Sequence, residues 1–253
     1  VGDEIWGHND WSKVTKTWEK GILPTVSVQL NNGSAMRLTK DHKVWIYKCR
    51  KEHRGERASN CECSMEHRDL VRITVGELRK GMVLPQPERV SFGTGKMDAG
   101  AALIEGLYLS DGWSSHRADF AIAGKDGHPK EAQKREVEKI CKEMGLKTRW
   151  HSRYITVKSR EWTDRLRTMG SHAPQKHALS IDLDEGGALN LLRGIMADAG
   201  KNTHGTGSTF TTTSHELFLQ TRVLLKMAGL TAGSAFITDH GGLGENPIWR
   251  LYV

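Results

Sequence analysis

No apolar run in the sequence approaches the roughly 18 residues needed to cross a bilayer, so no membrane partner is expected. A basic segment leading into a short apolar core is also missing, which removes the usual secretory reading. There is no initiator Met, and "VGDEIWGHND" (1–10) reads like the middle of something longer. Cysteine is scarce, with four in 253 residues. Three of the four, Cys49, Cys61 and Cys63, crowd one short basic loop. That placement argues against a secreted disulfide framework and for metal ligation or reduced thiols. An intracellular protein, in the cytoplasm or nucleoid, is the expectation.

What is present is ordinary globular material, 37% hydrophobic and 26% charged, long enough for a substantial core and more than one domain. The net charge of +7, with a pI near 9.2, is compatible with a polyanionic partner without requiring one.

Residues 1–93 and 98–253 differ in texture. The first part alternates β-formers with turn signals: "TVSVQL" (25–30), "NNG" (31–33), "AMRLT" (35–39) and "KVWIYK" (43–48). Alternating runs joined at Asn-Gly predict hairpins, hence a mostly β domain. "SFGTGKMDAG" (91–100) supplies the glycines of a boundary. Beyond it, helices and strands alternate. The pattern predicts an apolar helix over 98–110, a strand over 117–124, and a helix over 129–146 that starts at Pro129 and stops at Gly145. That helix places Val137, Ile140, Cys141 and Met144 on one face. A strand over 147–159 and a short helix over 161–170 follow. The order then repeats: helix 185–200, strand 207–214, helix 215–230, and strands at 234–239 and 246–253. Two tandem halves, about 98–175 and 186–253, are the resulting expectation.

Gly106 and Gly194, 88 residues apart, head corresponding motifs, "GLYLSDG" (106–112) and "GIMADAG" (194–200). Small residues on an apolar helix let two backbones approach closely. Gly106, Ser110 and Gly112 share roughly one side of the first helix, and Gly194, Asp198 and Gly200 do so on the second. Helices packed along a pseudo-two-fold would bring the acids at their ends together. Two carboxylates that close need a cation between them. Oxygen ligands with waters suit Mg²⁺, and shared-metal centres drive phosphodiester hydrolysis.

On "IEGLYLSDG" (104–112) and "LRGIMADAG" (192–200), residues 98–253 resemble a single-chain LAGLIDADG homing endonuclease. The resemblance implies an α+β fold of two pseudo-symmetric αββαββα halves, acting as a monomer on double-stranded DNA with a long specific target. It also implies phosphodiester hydrolysis with Mg²⁺ or another divalent cation, held by the acid at the eighth position of each nonapeptide. That position maps onto Asp111 in the first half and onto Ala199 in the second, with Asp198 one residue early. An α-helix advances about 100° per residue, so Asp198 is expected to point away from its counterpart's place. Three readings stay open: Asp198 substitutes through local backbone adjustment, the site has decayed to DNA binding alone, or Ala199 is an introduced Asp→Ala change that halts cleavage. "SHAPQKHALSIDL" (171–183) further resembles the family's segment with a basic residue near the active site, which maps onto Lys176. A solvated loop lysine is the alternative.

In this family each half offers a β-sheet to the major groove. On that basis Arg149, His151 and Arg153 are expected on one strand face, Arg117 with Asp119 on another, and Thr209, Thr211 and Thr213 in the second half. The same alternation also suits an ordinary solvated face. A non-catalytic DNA-binding module of this fold, or a split-intein fragment, are the rivals.

The first ninety residues resemble the N-terminal portion of an intein splicing (Hint) domain, through "TKDH" (39–42) and "ITVGELRKGMVLPQP" (73–87). The resemblance gives Thr39 and His42 the role of polarising the first splice-site peptide bond, with His42 as general acid/base. It also implies a missing N-terminal intein segment carrying the nucleophile, so the chain as given should not splice by itself. Within the basic loop 49–67, Cys49, Cys61, Cys63 and either His53 or His67 offer a tetrahedral Zn²⁺ site. A reduced-thiol loop whose basic side chains lie along DNA phosphates is the alternative.

Overall fold

The computed structural model describes residues 2–6, 11–31, 35–50, 65–87, 89–114, 118–201, 207–237 and 246–253. It divides into two compact units, Val1–Glu88 and Arg89–Val253.

The first unit consists of antiparallel hairpins: β1 (Glu4–Trp6) with β2 (Trp11–Lys13), β3 (Thr25–Gln29) with β4 (Ala35–Thr39), and β5 (Lys43–Cys49) with β6 (Arg68–Thr74). β3 and β4 join at the expected place, though the Asn32-Gly33 turn lies outside the described residues. Alternation along β3 and β4 leaves one face half covered. Among the described residues of this unit only Ile46 and Val75 are fully buried apolar side chains, while Trp45, Leu70 and Met82 remain exposed.

The second unit carries the main core. The helix α1 (Ala99–Asp111) is buried on every side from Ala102 to Leu109, as a helix apolar nearly all round must be, and the one charge in that stretch, Glu105, is buried with it. It is followed by β7 (Gly112–Ser114), β8 (Asp119–Ala123), α2 (Glu131–Glu143), β9 (Lys147–Trp150), β10 (Tyr154–Lys158) and α3 (Arg160–Thr168). The second half then runs α4 (Glu185–Ile195), β11 (Gly200–Lys201), β12 (Ser208–Thr212), α5 (His215–Met227), β13 (Gly233–Ile237) and β14 (Ile248–Tyr252). The four-stranded sheets are ordered β7-β8-β10-β9 and β11-β12-β14-β13, the same antiparallel sequence of strands twice. Matching side-chain caps repeat as well. Asp98 accepts the Ala101 N–H at 3.0 Å to start α1, and Asp184 accepts the Gly187 N–H at 2.9 Å to start α4.

Several expectations are corrected. The single strand over 147–159 is a hairpin, broken at residues 151–153. Its alternation runs through the turn because the residues there happen to keep the period. The second half reads αββαββ among the described residues, without a counterpart of α3. Met144 lies outside α2 and is exposed, whereas Lys134 is fully buried. Residues 89–98 belong with the second unit, because Gly93 N–H donates to Leu183 O at 2.8 Å and Asp184 N–H to Gly95 O at 2.7 Å. The glycines that suggested a linker let this segment lie flat against 182–184.

Candidate functional site

The site begins with the crossing of α1 and α4. A Cβ on Gly106 would stand 2.8 Å from Gly194 Cα and 2.9 Å from Ile195 N. One on Gly194 would stand 2.6 Å from both Leu103 O and Leu107 N. Only glycine fits at either position, so the two backbones touch there. The neighbouring glycines play other parts: a Cβ on Gly112 would strike its own helix at Tyr108, and one on Gly200 would meet nothing within 4 Å. The helix interface is therefore marked by Gly106 and Gly194 alone.

Asp111 is the last residue of α1. In the second half α4 ends at Ile195, and Met196–Asp198 form one turn of 3₁₀-helix. A 3₁₀ turn advances about 120° and 2.0 Å per residue. This tighter winding is why Asp198 does not point away, as a uniform α-helical step predicts. Asp198 and Asp111 instead converge on one cation, Lys130. The Lys130 ammonium donates to Asp111 Oδ2 at 3.0 Å and to Asp198 Oδ1. Ala199 follows in extended backbone as the cap of that turn, its N–H on Met196 O at 3.0 Å. Both carboxylates are open to solvent, with side chains 48% and 41% exposed. Burial disfavours the charged form of Lys130, yet its hydrogen bonds to Asp198 and Asp111 outweigh this and hold it above the ordinary lysine value.

Lys176 lies behind this group and is almost fully buried. Its ammonium donates to Tyr108 O at 2.8 Å and Gly112 O at 2.9 Å, capping the carbonyl end of α1. Its own carbonyl accepts the Ser214 hydroxyl, and Ser214 is the N-cap of α5. Lys176 thus ties the end of one half's motif helix to the start of a helix in the other. Burial drives its pKa down to about 8, against the opposing pull of Asp111 and Asp198. It is not a solvated loop lysine.

Two further groups pin the second carboxylate's turn to the first half. Gln133 Nε2 donates to Ala197 O at 2.8 Å. Arg193 Nη2 donates to both oxygens of Glu136 at 2.7 and 2.8 Å. Neither pair nor Lys130 carries a motif signal; each is found only once the topology brings α2 beside the end of α4. Glu105 and Arg165, paired at 2.5 Å, tie α1 to α3. Burial raises the Glu105 carboxyl above the ordinary range, against its bond to Arg165.

The sheet faces sort the remaining residues. In the first sheet Phe120, Ile122, Ile155 and Val157 are buried on one side. The register Thr156↔Arg149, Lys158↔Lys147 and Trp113↔Ala121 puts Arg149, Thr156, Lys158 and Trp113 on the other. His151 and Arg153 fall in the turn rather than on the strand face, and His151 stacks on Tyr154 at 4.4 Å between ring centroids. Asp119 pairs with Lys158 across β8 and β10. In the second sheet Thr209 and Thr211 face the same way, opposite Tyr252 and Arg250. Thr213 lies past the end of β12, and its hydroxyl is buried without a hydrogen-bond partner. Arg117 lies outside the described residues.

In the first unit, Thr39 and His42 close the turn between β4 and β5. The Thr39 hydroxyl bonds the Asp41 carboxylate, the foremost reason Asp41 sits below the ordinary carboxylate value. The His42 N–H donates to Thr39 O at 3.1 Å, and its carbonyl accepts from Val75 N–H at 2.8 Å, leaving the ring exposed. Cys61, Cys63 and His53, on which the zinc expectation rests with Cys49 and His67, lie outside the described residues. Among the described residues no three His, Cys, Asp or Glu side chains gather as a metal set. No helix among them is long and apolar enough to cross a membrane.

No family model matches the chain, and no curated protein matches it. Solved structures similar to it include mesophilic variants of the homing endonuclease I-DmoI, at 14% identity and a TM-score of 0.41, covering 61% of this chain and 88% of that one. I-DmoI in complex with DNA and Mn is similar at 13% identity and a TM-score of 0.39, over 61% and 88%. The N-terminal LAGLIDADG domain of DUF199/WhiA is similar at 15% identity and a TM-score of 0.40, over 64% and 79%.

Proposed function

We propose that residues 89–253 bind double-stranded DNA at a long specific site and hydrolyse its phosphodiester backbone with a divalent cation, acting as an intracellular monomer. The observation that carries this reading is the convergence of Asp111 and Asp198. The two motif helices meet backbone to backbone at Gly106 and Gly194, so acids from different halves share one cation.

The donor set fits a hard divalent ion. A cationic nitrogen already stands between the two carboxylates, and both retain solvent-facing oxygens. Asp111 and Asp198 would hold Mg²⁺, with waters and substrate phosphate completing its shell, since no third acidic ligand stands beside them among the described residues. When bound, the ion supplies charge neutralisation and a water of lowered pKa. Lys176 acts as a positioning residue: by capping α1 it fixes where Asp111 points. The outer sheet faces, with Arg149, Lys158 and Trp113 in one half and Thr209, Thr211 and Arg250 in the other, are the surfaces to lie along the major groove. The turn residues His151 and Arg153, with Asp119 on β8, extend the first of them, and Arg117 is assigned to DNA contact from the sequence alone.

Ala199 favours a second reading, a DNA-binding module that no longer cuts. In the first unit, "TKDH" (39–42), set between two hairpins, supports a partial Hint-type splicing domain of intein origin, with Thr39 and His42 as remnants of its splice-site machinery. A structural Zn²⁺ on Cys49, Cys61, Cys63 and His67 goes with that unit.

The test is site selection from a random duplex library, followed by cleavage of the selected site with Mg²⁺. Cutting that Asp111→Asn abolishes supports the enzyme. Selective, salt-sensitive retention without cutting, rescued to cutting by Ala199→Asp, supports a disabled one. Retention no better than for unrelated duplex rejects both.

A further inference from the structure

Lys130 is the residue that the motif does not account for. It is the N-cap of α2, after Pro129, with helical backbone angles of φ −67° and ψ −11°, so its stem leaves a fixed point. α2 is in turn fastened to the end of α4 by Gln133 on Ala197 and by Arg193 on Glu136. The helix start therefore delivers an ammonium to one point, between carboxylates contributed by the two halves. Lys130 is also the most enclosed of the three groups, 26% exposed beside carboxylates at 48% and 41%. It approaches from inside, while the acids face outward.

Asp111 terminates a helix, where the macrodipole is negative and a carboxylate is unfavourable. Asp198 stands within reach of the same ammonium. Both gain from a cation, and Lys130 supplies one without any ion from solution. A divalent cation bound by the same two oxygens would stand a few ångströms from that ammonium, and two positive charges so close repel strongly. The lysine and the metal cannot share the position.

We propose that Lys130 is a tethered counter-cation that occupies the metal position between Asp111 and Asp198 and competes with divalent cations for them. Metal entry then requires the lysine to leave, and the site stays closed to metal until it does. This rests on reading the two carboxylates as a metal centre, and it is tested without DNA.

Mn²⁺ binding to the full chain is followed by loss of the free-ion EPR signal, for the wild type, Lys130→Met, Lys130→Gln, and Lys130→Met combined with Asp111→Asn. Both single variants are expected to bind one Mn²⁺ at least tenfold more tightly than the wild type, and the double variant to lose that gain. In parallel melts, Lys130→Met should be destabilised without metal and recover with Mn²⁺, whereas the wild type should respond less. Two lysine variants guard against one failing to fold. Equal Mn²⁺ affinity, within twofold, in wild type and lysine variants overturns the proposal, as does absence of binding in all of them. Metal-dependent cutting by the wild type alongside equal affinities would sink the lysine's role while leaving the nuclease reading in place. Failure of all binding together with no DNA selectivity would remove both.

Discussion

Replacing Gly194 by alanine isolates the contact on which the whole site depends. The new methyl carbon would lie 2.6 Å from Leu103 O and Leu107 N and 2.7 Å from Gly106 C, all backbone atoms of the facing helix. Ordinary van der Waals contact begins near 3.4 Å, so α1 and α4 must separate by most of an ångström along their buried length. Overpacking a close-packed interior costs about 1–3 kcal/mol. With three backbone atoms struck and no flexible side chain to yield, the upper end applies, about 3 kcal/mol. Alanine's greater helix propensity returns up to about 1 kcal/mol. The net loss is therefore about 2 kcal/mol, or a fall in melting temperature of roughly 4–8 °C for a unit of this size. Gly186 supplies the control within the same helix, because its added Cβ would find only Asp184 Oδ1 at 3.9 Å. Gly186→Ala should be neutral or stabilising. Thermal unfolding followed by circular dichroism compares the two. If Gly194→Ala melts at or above Gly186→Ala, the helices are not in backbone contact and the convergence of Asp111 and Asp198 loses its physical basis.

Two further outcomes follow from buried titratable groups. Lys176 has a folded pKa of about 8, lower than that of an unfolded lysine. Below pH 8 both states hold the proton and the cost of the buried charge is felt in full; between there and about pH 10.4 the unfolded chain keeps a proton that the folded one has released, so stability rises with pH. The unfolding free energy of the wild type minus that of Lys176→Met should therefore grow by on the order of 2 kcal/mol between pH 8 and 9.5. A pH-independent difference refutes the assignment. Cys141 is fully buried on the inner face of α2, and burial pushes its thiol up to about 12. Its modification by a thiol reagent at pH 8, located by mass spectrometry of the Cys141 peptide, should keep pace with global unfolding, and rapid labelling of Cys141 in the native protein would contradict this packing.

What the sequence makes legible is what repeats or packs apolar groups. α1 could be placed within a residue or two by its apolar run, and Gly106 and Gly194 could be matched because each heads a similar seven-residue pattern, 88 residues apart. Alternation marks β8, β12, β13 and β14 but not how they pair; β7 and β11 are too short to show a period, and the 147–159 hairpin is hidden because its turn keeps the strand period. The candidate site is legible only in part, since its members are joined by topology. Lys130 looks like any solvated lysine at a helix start, and nothing at its position betrays that α2 will lie beside the end of a helix more than sixty residues away. Lys176 could be picked out by its segment, but its partners are two backbone carbonyls, which have no sequence signature at all. Asp198 is the most instructive case. A helical wheel sends it away from Asp111, and the wheel fails because the last turn changes from α to 3₁₀, a switch worth little energy locally and decided by what waits at the end of it. Lys130 on its carboxylate and Gln133 on the preceding Ala197 carbonyl both reward the tighter turn. Ala199 therefore does not leave Asp111 alone: Asp198, one residue earlier, reaches the same ammonium, and the packing of α2 holds that turn in place.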